Sequence, residues 1–122
     1  MAAPTNRSAA GARAEQLAAR HLEEQYGYRI VARNYRSRFG EVDLIAEDGE
    51  ILCFVEVRSR TTSRYGQALE TISVEKRRRI ALTARAFLVA NQLEHRPCRF
   101  DVVTLQDGGA PELLRDAFEL DE

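Results

Sequence analysis

The chain is poor in cysteine and histidine, with two of each in 122 residues. Cys53 lies inside an apolar run and Cys98 opens another, with no CxxC spacing and no histidine cluster beside them. That excludes a structural zinc site of ordinary spacing and suggests two buried, reduced thiols. Long apolar runs are also missing. No segment approaches the roughly 20 residues that a bilayer-spanning helix needs, and the N-terminal MAAPTNRSAAGAR has no apolar core of a secretory signal. The expectation is a cytoplasmic protein with no membrane partner. GxGxxG, a Walker-type phosphate loop and a Ser-His-Asp pattern are absent too, so dinucleotide, nucleoside triphosphate and acyl-transfer chemistry have no support.

Hydrophobic residues make up 44% and charged residues 30%, a balance that suits one globular domain with a real core. Residues 1–9 read as a floppy tail and residues 10–122 as the domain. A net charge of −1 says nothing about a polyanionic partner, but the charge is unevenly spread. Arg58 to Arg79 holds seven basic residues against Glu70 and Glu75, while Asp101 to Glu122 holds seven acids against Arg115. Such a split can leave one basic face on a near-neutral protein.

The element order predicted is α-β-β-β-α-β. A first helix ends at Tyr26 before Gly27, with Leu17, Ala18, His21, Leu22 and Gln25 as its stripe. Strands follow at Tyr28 to Arg36, Phe39 to Ala46 and Ile51 to Val57, the last two joined by an Asp48-Gly49 turn. Ser73 caps a second helix that runs to Asn91 and buries Ile80, Ala84, Phe87 and Leu88. Arg99 to Leu105 is a fourth strand, and Pro111 to Glu122 a short docking helix. The fold class is α/β, a mixed central sheet flanked by helices.

The informative stretch is GEVDLIAEDGEILCFVEVRSR, Gly40 to Arg60. Side chains alternate along a strand, so Asp43 projects with Glu41 and Ile45, and Glu56 with Phe54 and Arg58. In an antiparallel pair turning at Asp48-Gly49 the two acids reach similar heights near one end. Two unpaired carboxylates that close cost several kcal/mol in repulsion and desolvation. Either a divalent cation compensates them, or arginines do, with Arg58, Arg60 and Arg99 as candidates. Asp43 followed by Glu56-Val57-Arg58 matches a D…(D/E)xK nuclease pattern with arginine for lysine. Glu15 adds a third acid on the helical face of Ala18, Ala19 and Leu22.

Three pieces of the chain carry a family resemblance: GARAEQLAARHLEEQYGYRIVARNYRSRFGEVDLIAEDGEILCFVEVRSR, YGQALETISVEKRRRIALTARAFL and RFDVV. Together they resemble the YraN-like family of small bacterial proteins, predicted endonucleases of the PD-(D/E)XK superfamily that are distantly similar to archaeal Holliday-junction resolvases. The resemblance implies a restriction-endonuclease-like fold and a metal-dependent endonuclease acting on DNA, with branched or structured DNA as the suggested substrate. It implies Asp43, Glu56, the backbone carbonyl of Val57 and Glu15 as ligands for Mg²⁺ or Mn²⁺, and a homodimer as a form suited to a four-way junction. Arg58 stands where the family usually has lysine; it keeps the charge but cannot give up a proton. The alternative is a non-catalytic nucleic-acid-binding module on the same fold.

Phosphate contacts are expected from Lys76, Arg77 and Arg78, with Arg79 beside them, at the start of the second helix. Arg38 and Arg60, with Arg33, Arg36 and Arg64, extend that surface, and Tyr65-Gly66 is a loop. His21 reads as a packed histidine and His95 as a surface one. Asp101 either orients an arginine near the site or pairs on the surface.

Overall fold

The computed structural model describes residues 9–60, 72–106 and 110–118, without the side chain of Arg60. Residues 1–8, Arg64 and the Tyr65-Gly66 pair lie outside the described residues. The order is α1 (Ala9–Tyr26), β1 (Arg29–Ser37), β2 (Gly40–Asp48), β3 (Ile51–Arg60), α2 (Val74–Ala90), β4 (Cys98–Gln106) and β5 (Glu112–Leu114). The strands form one mixed sheet in that spatial order. Among the described strands only β3 and β4 run parallel, because the chain crosses over through α2 between them. No helix among the described residues is long and apolar enough to cross a membrane.

Two short turns set the sheet. Asp48 pairs with Ile51, leaving Gly49 and Glu50 as the loop, and Gly49 takes φ +60, which a residue without Cβ adopts at little cost. Ser37 pairs with Gly40 around Arg38 and Phe39. There the hydroxyls of Ser37 and Thr83 lie 2.8 Å apart, tying the turn to α2. α1 stops at Gly27, where the N–H groups of Gly27 and Tyr28 donate to the carbonyls of Glu23 and Leu22. Ser73 caps α2 as expected, its hydroxyl accepting from the Lys76 N–H at 3.0 Å.

Each helix covers one face of the sheet. Ala18, Ala19 and Leu22 of α1 pack on Leu44, Ala46, Cys53, Val55 and Val103. Ile80, Ala81, Ala84 and Phe87 of α2 pack on Val42, Ile45, Leu52, Phe54, Phe100 and Val102. The α1 stripe is therefore rotated from the expected one. Leu17 is exposed and so is Gln25, while Glu15 occupies the buried row, because 15, 18, 19 and 22 share one face and 17 does not.

The C-terminal segment corrects a second expectation. It is not a helix over its described part but the short strand β5, antiparallel to β4 through Val102↔Leu114, Val103↔Leu113 and Thr104↔Glu112. Pairing satisfies the backbone of β4, which would otherwise be an open edge. Alternation then sends Leu113 into the α1 layer and Leu114 into the α2 layer. Phe118 follows and stacks on Phe100 at 5.0 Å between ring centroids.

Candidate functional site

β2 and β3 pair from Asp48↔Ile51 up to Leu44↔Val55. Continued one step, that register sets Asp43 opposite Glu56. The ladder does not continue. Instead Val57 donates its N–H to the Asp43 carboxylate, Oδ2, at 2.8 Å, so a side chain takes the place of a strand carbonyl. On the other side of β2, Asn34 adopts φ +55 between the pairs Arg33↔Leu44 and Tyr35↔Val42. Both neighbours of Asp43 thus leave regular geometry where the acid sits.

Around this point the elements converge. Oxygens of Glu15 from α1 and of Glu41 and Asp43 from β2 lie within 4.8 Å of one another. Glu56 from β3 is 5% exposed and hydrogen-bonded to Asp43. A cavity of about 510 Å³ opens over them, lined by Glu15, Arg36, Gly40, Glu41, Asp43, Glu56, Lys76, Arg79 and Ile80. Gly40 lies against α2: a Cβ built there would stand 3.4 Å from Arg79 Cβ, an ordinary packing contact.

The electrostatics follow from burial. Desolvation pushes Glu56 up to about 7, and the charge of Asp43 adds to the rise against the pull of Lys76. Desolvation likewise pushes Asp43 up to about 6, opposed by the Val57 N–H and the Glu56 hydrogen bond and reinforced by Glu15 and Glu41. Near neutrality the two carboxyls share a proton, because burial disfavours the charged form of each and neighbouring carboxylates add to that.

Cations do reach the site: Arg58 was foreseen for the pairing, and Lys76 was not. Lys76 Nζ lies 2.7 Å from Glu56 Oε2, and Arg58 Nη1 lies 3.7 Å from the same oxygen. Glu41 accepts from Arg36 Nε at 3.2 Å. Arg99 is at the far end of the sheet, where it bridges Asp48 and the fully buried Asp101 and donates to the Tyr28 hydroxyl. Asp101 therefore neither orients an arginine at the acid cluster nor pairs on the surface. It also accepts the Asp116 N–H at 2.9 Å, which fastens the turn after β5.

The remaining expected residues distribute as follows. Arg58 is half-buried beside Glu56, and Val57 meets the site through its N–H. Of the four cations opening α2, Lys76 and Arg79 line the cavity, one helical turn apart. Arg77 turns away, its guanidinium 5.9 Å from the Phe118 ring centre, and Arg78 is exposed. Arg38 is exposed in the β1–β2 turn over Phe39, and Arg33 is exposed on β1. Arg60 belongs to β3, its side chain outside the described residues. His21 packs edge-on against Tyr26, and His95 is exposed. Cys53 is buried as expected, but Cys98 is exposed at the start of β4.

Sequence reasoning missed Glu41 as a member of the cluster. Its signal was the two-residue spacing from Asp43, which puts both on one side of a strand. It also left Arg36 and Arg79 as general basic surface, although both line the cavity.

The model of "Uncharacterised protein family UPF0102" matches residues 14–105, a span that includes all four cavity carboxylates. Named UPF0102 proteins are close relatives along most of their length. That of Syntrophus aciditrophicus is 45% identical over 109 residues, covering 87% of this chain and 85% of the relative. That of Lachnoclostridium phytofermentans is 44% identical over 115 residues, covering 93% and 96%. That of Alkalilimnicola ehrlichii is 47% identical over 117 residues, covering 95% and 91%. The chain belongs to the UPF0102 family, the YraN-like proteins that its motifs resemble.

Proposed function

We propose that the protein is a divalent-cation-dependent endonuclease that hydrolyses phosphodiester bonds of DNA, with branched or structured DNA as its substrate class. One observation carries this reading: Asp43 and Glu56 meet where β2 and β3 part, with Glu15 and Glu41 beside them, in a cavity whose wall also holds Lys76, Arg79 and Arg36. A site built only to bind the phosphate backbone gains nothing from four carboxylates.

The donor set suits Mg²⁺ or Mn²⁺. It offers hard carboxylate oxygens, and burial raises two of the acids, Asp43 to about 6 and Glu56 to about 7, in the absence of a cation. Asp43, Glu56 and Glu15 would hold the ion, with the Val57 carbonyl as a further donor and Glu41 within reach of Asp43 and Glu15. When bound, the ion supplies Lewis acidity toward a phosphodiester oxygen and acidifies water.

The chain's own groups do the rest. Asp43 and Glu56 give up their shared proton as the site loads, so binding is favoured by rising pH. Arg58 keeps a permanent positive charge against the buried Glu56 and can meet a phosphate bidentately. Lys76, Arg79 and Arg36 hold the backbone over the acids, which is positioning in the kinetic sense. In the reaction a water oxygen bonds to phosphorus and one phosphorus–oxygen ester bond breaks. The departing oxygen takes up a proton, leaving a phosphate monoester and a hydroxyl. The same reading sets the protein in the cytoplasm, and a pair of copies would present two such sites to a four-way junction.

The test is calorimetry of Mg²⁺ and Mn²⁺ with wild type and Asp43→Asn, followed by cleavage of branched and linear DNA. Binding lost in the variant and metal-dependent strand scission support the proposal; a wild type that binds neither ion at pH 8 rejects it. A non-catalytic nucleic-acid-binding module, which Arg58 in place of lysine favours, predicts DNA binding without scission under either ion.

A further inference from the structure

Lys76 occupies an odd place. Counting from the Ser73 cap it is the third residue of α2, where the helix dipole favours an anion and where a glutamate or glutamine completes a capping box. An ammonium there is unfavourable unless something outside the helix compensates it. Glu56 does so, with Oε2 2.7 Å from Nζ. The same carboxylate is one of the three that would hold the divalent cation in the proposed nuclease site, so an ammonium seated on it competes with the ion for one negative charge.

Resting on that nuclease reading, we propose that Lys76 is a placeholder: its ammonium neutralises Glu56 while the site lacks a divalent cation, and the cation displaces it toward the substrate phosphate. Three observations point the same way. Lys76 lines the cavity with Asp43, Glu56 and Arg79, so a released ammonium stays in the space a phosphate would enter. Its side chain is 39% exposed on a flexible four-carbon stem, whereas Arg58, 24% exposed, is 3.7 Å from the same oxygen. The D…(D/E)xK pattern has arginine at position 58, and the fold returns a lysine to the acids from another element. Cation and nucleic acid then favour each other's binding through one side chain. Linkage makes that coupling reciprocal.

The test uses the full chain, Lys76→Met and Lys76→Arg, each checked by circular dichroism. Mg²⁺ is titrated by calorimetry at pH 8 without nucleic acid, and cleavage of a branched DNA is timed in parallel. Removing the competing ammonium should tighten Mg²⁺ by roughly fivefold in Lys76→Met, while cleavage falls about 10²-fold, the usual loss for one charge-stabilising donor. Lys76→Arg, which keeps a cation on Glu56, should bind Mg²⁺ near the wild-type affinity. Mg²⁺ binding unchanged or weakened in Lys76→Met, or wild-type cleavage by that variant, overturns the placeholder while leaving the nuclease reading intact. A wild type that binds no Mg²⁺ removes the nuclease reading and the placeholder with it.

Discussion

Glu56→Gln should stabilise the protein in chelator at pH 8 and remove its response to Mg²⁺. The magnitude comes from burial. Glu56 is 5% exposed and its carboxyl sits at about 7, against an ordinary 4.5. A folded-state value above the unfolded one means the native state binds more protons between the two. Stability is therefore complete below about pH 4.5 and is lost as pH rises through about 7. The difference of about 2.5 pKa units corresponds to about 3 kcal/mol at pH 8. Glutamine cannot ionise and so escapes this loss, in which the attraction of Lys76 is already counted, but its amide fits Asp43 less well than a carboxyl does, leaving a gain of about 2 kcal/mol. For a chain of this length that is about 8 °C in Tm. Scanning calorimetry or fluorimetry in EDTA at pH 8 should show the variant melting higher, with the two curves coinciding at pH 5. Mg²⁺ at 100 times its Kd should raise wild-type stability by about 2.7 kcal/mol and leave Glu56→Gln where it was. A variant that melts lower than wild type at pH 8 in EDTA would refute the reasoning, because Glu56 would then be an ordinary structural partner of Lys76 and Arg58.

Other sites give independent checks. Asp101→Asn leaves Arg99 facing one acid fewer in a buried network and should cost about 3 kcal/mol or more in urea unfolding, with Mg²⁺ affinity unchanged at the far end of the sheet. Phe118→Ala removes the ring stacked on Phe100 and should cost about 3 kcal/mol, lowering the urea midpoint at constant slope. Burial pushes the Cys53 thiol up to about 12, so native protein should titrate one thiol, Cys98, with a disulfide reagent, and a second only after unfolding.

What the sequence revealed was mostly local. Alternation along one hairpin is enough to put Asp43 opposite Glu56, and helical spacing is enough to put Glu15 on the packed row of α1. The helix caps at Gly27 and Ser73 are equally short-range. What stayed hidden depended on contacts across the fold. Lys76 is read as one of four cations in a row, and only the crossover through α2 singles it out by laying it on Glu56. Arg99 and Arg58 are equivalent guanidinium candidates on paper, yet parallel pairing of β3 with β4 carries Arg99 to the opposite end, next to Cys53. The tail misled because Leu113, Leu114 and Ala117 mimic a helical stripe, while a three-residue strand has too few positions to show alternation. Its identity was decided by the exposed edge of β4, which the tail's own residues do not encode.

The most direct measurement is the anomalous diffraction of crystals soaked in Mn²⁺ at pH 8. The account predicts a peak among the carboxylates of Asp43, Glu56 and Glu15, with the Lys76 ammonium moved off Glu56. A map with no peak there at saturating Mn²⁺, and Lys76 still seated on Glu56, contradicts it.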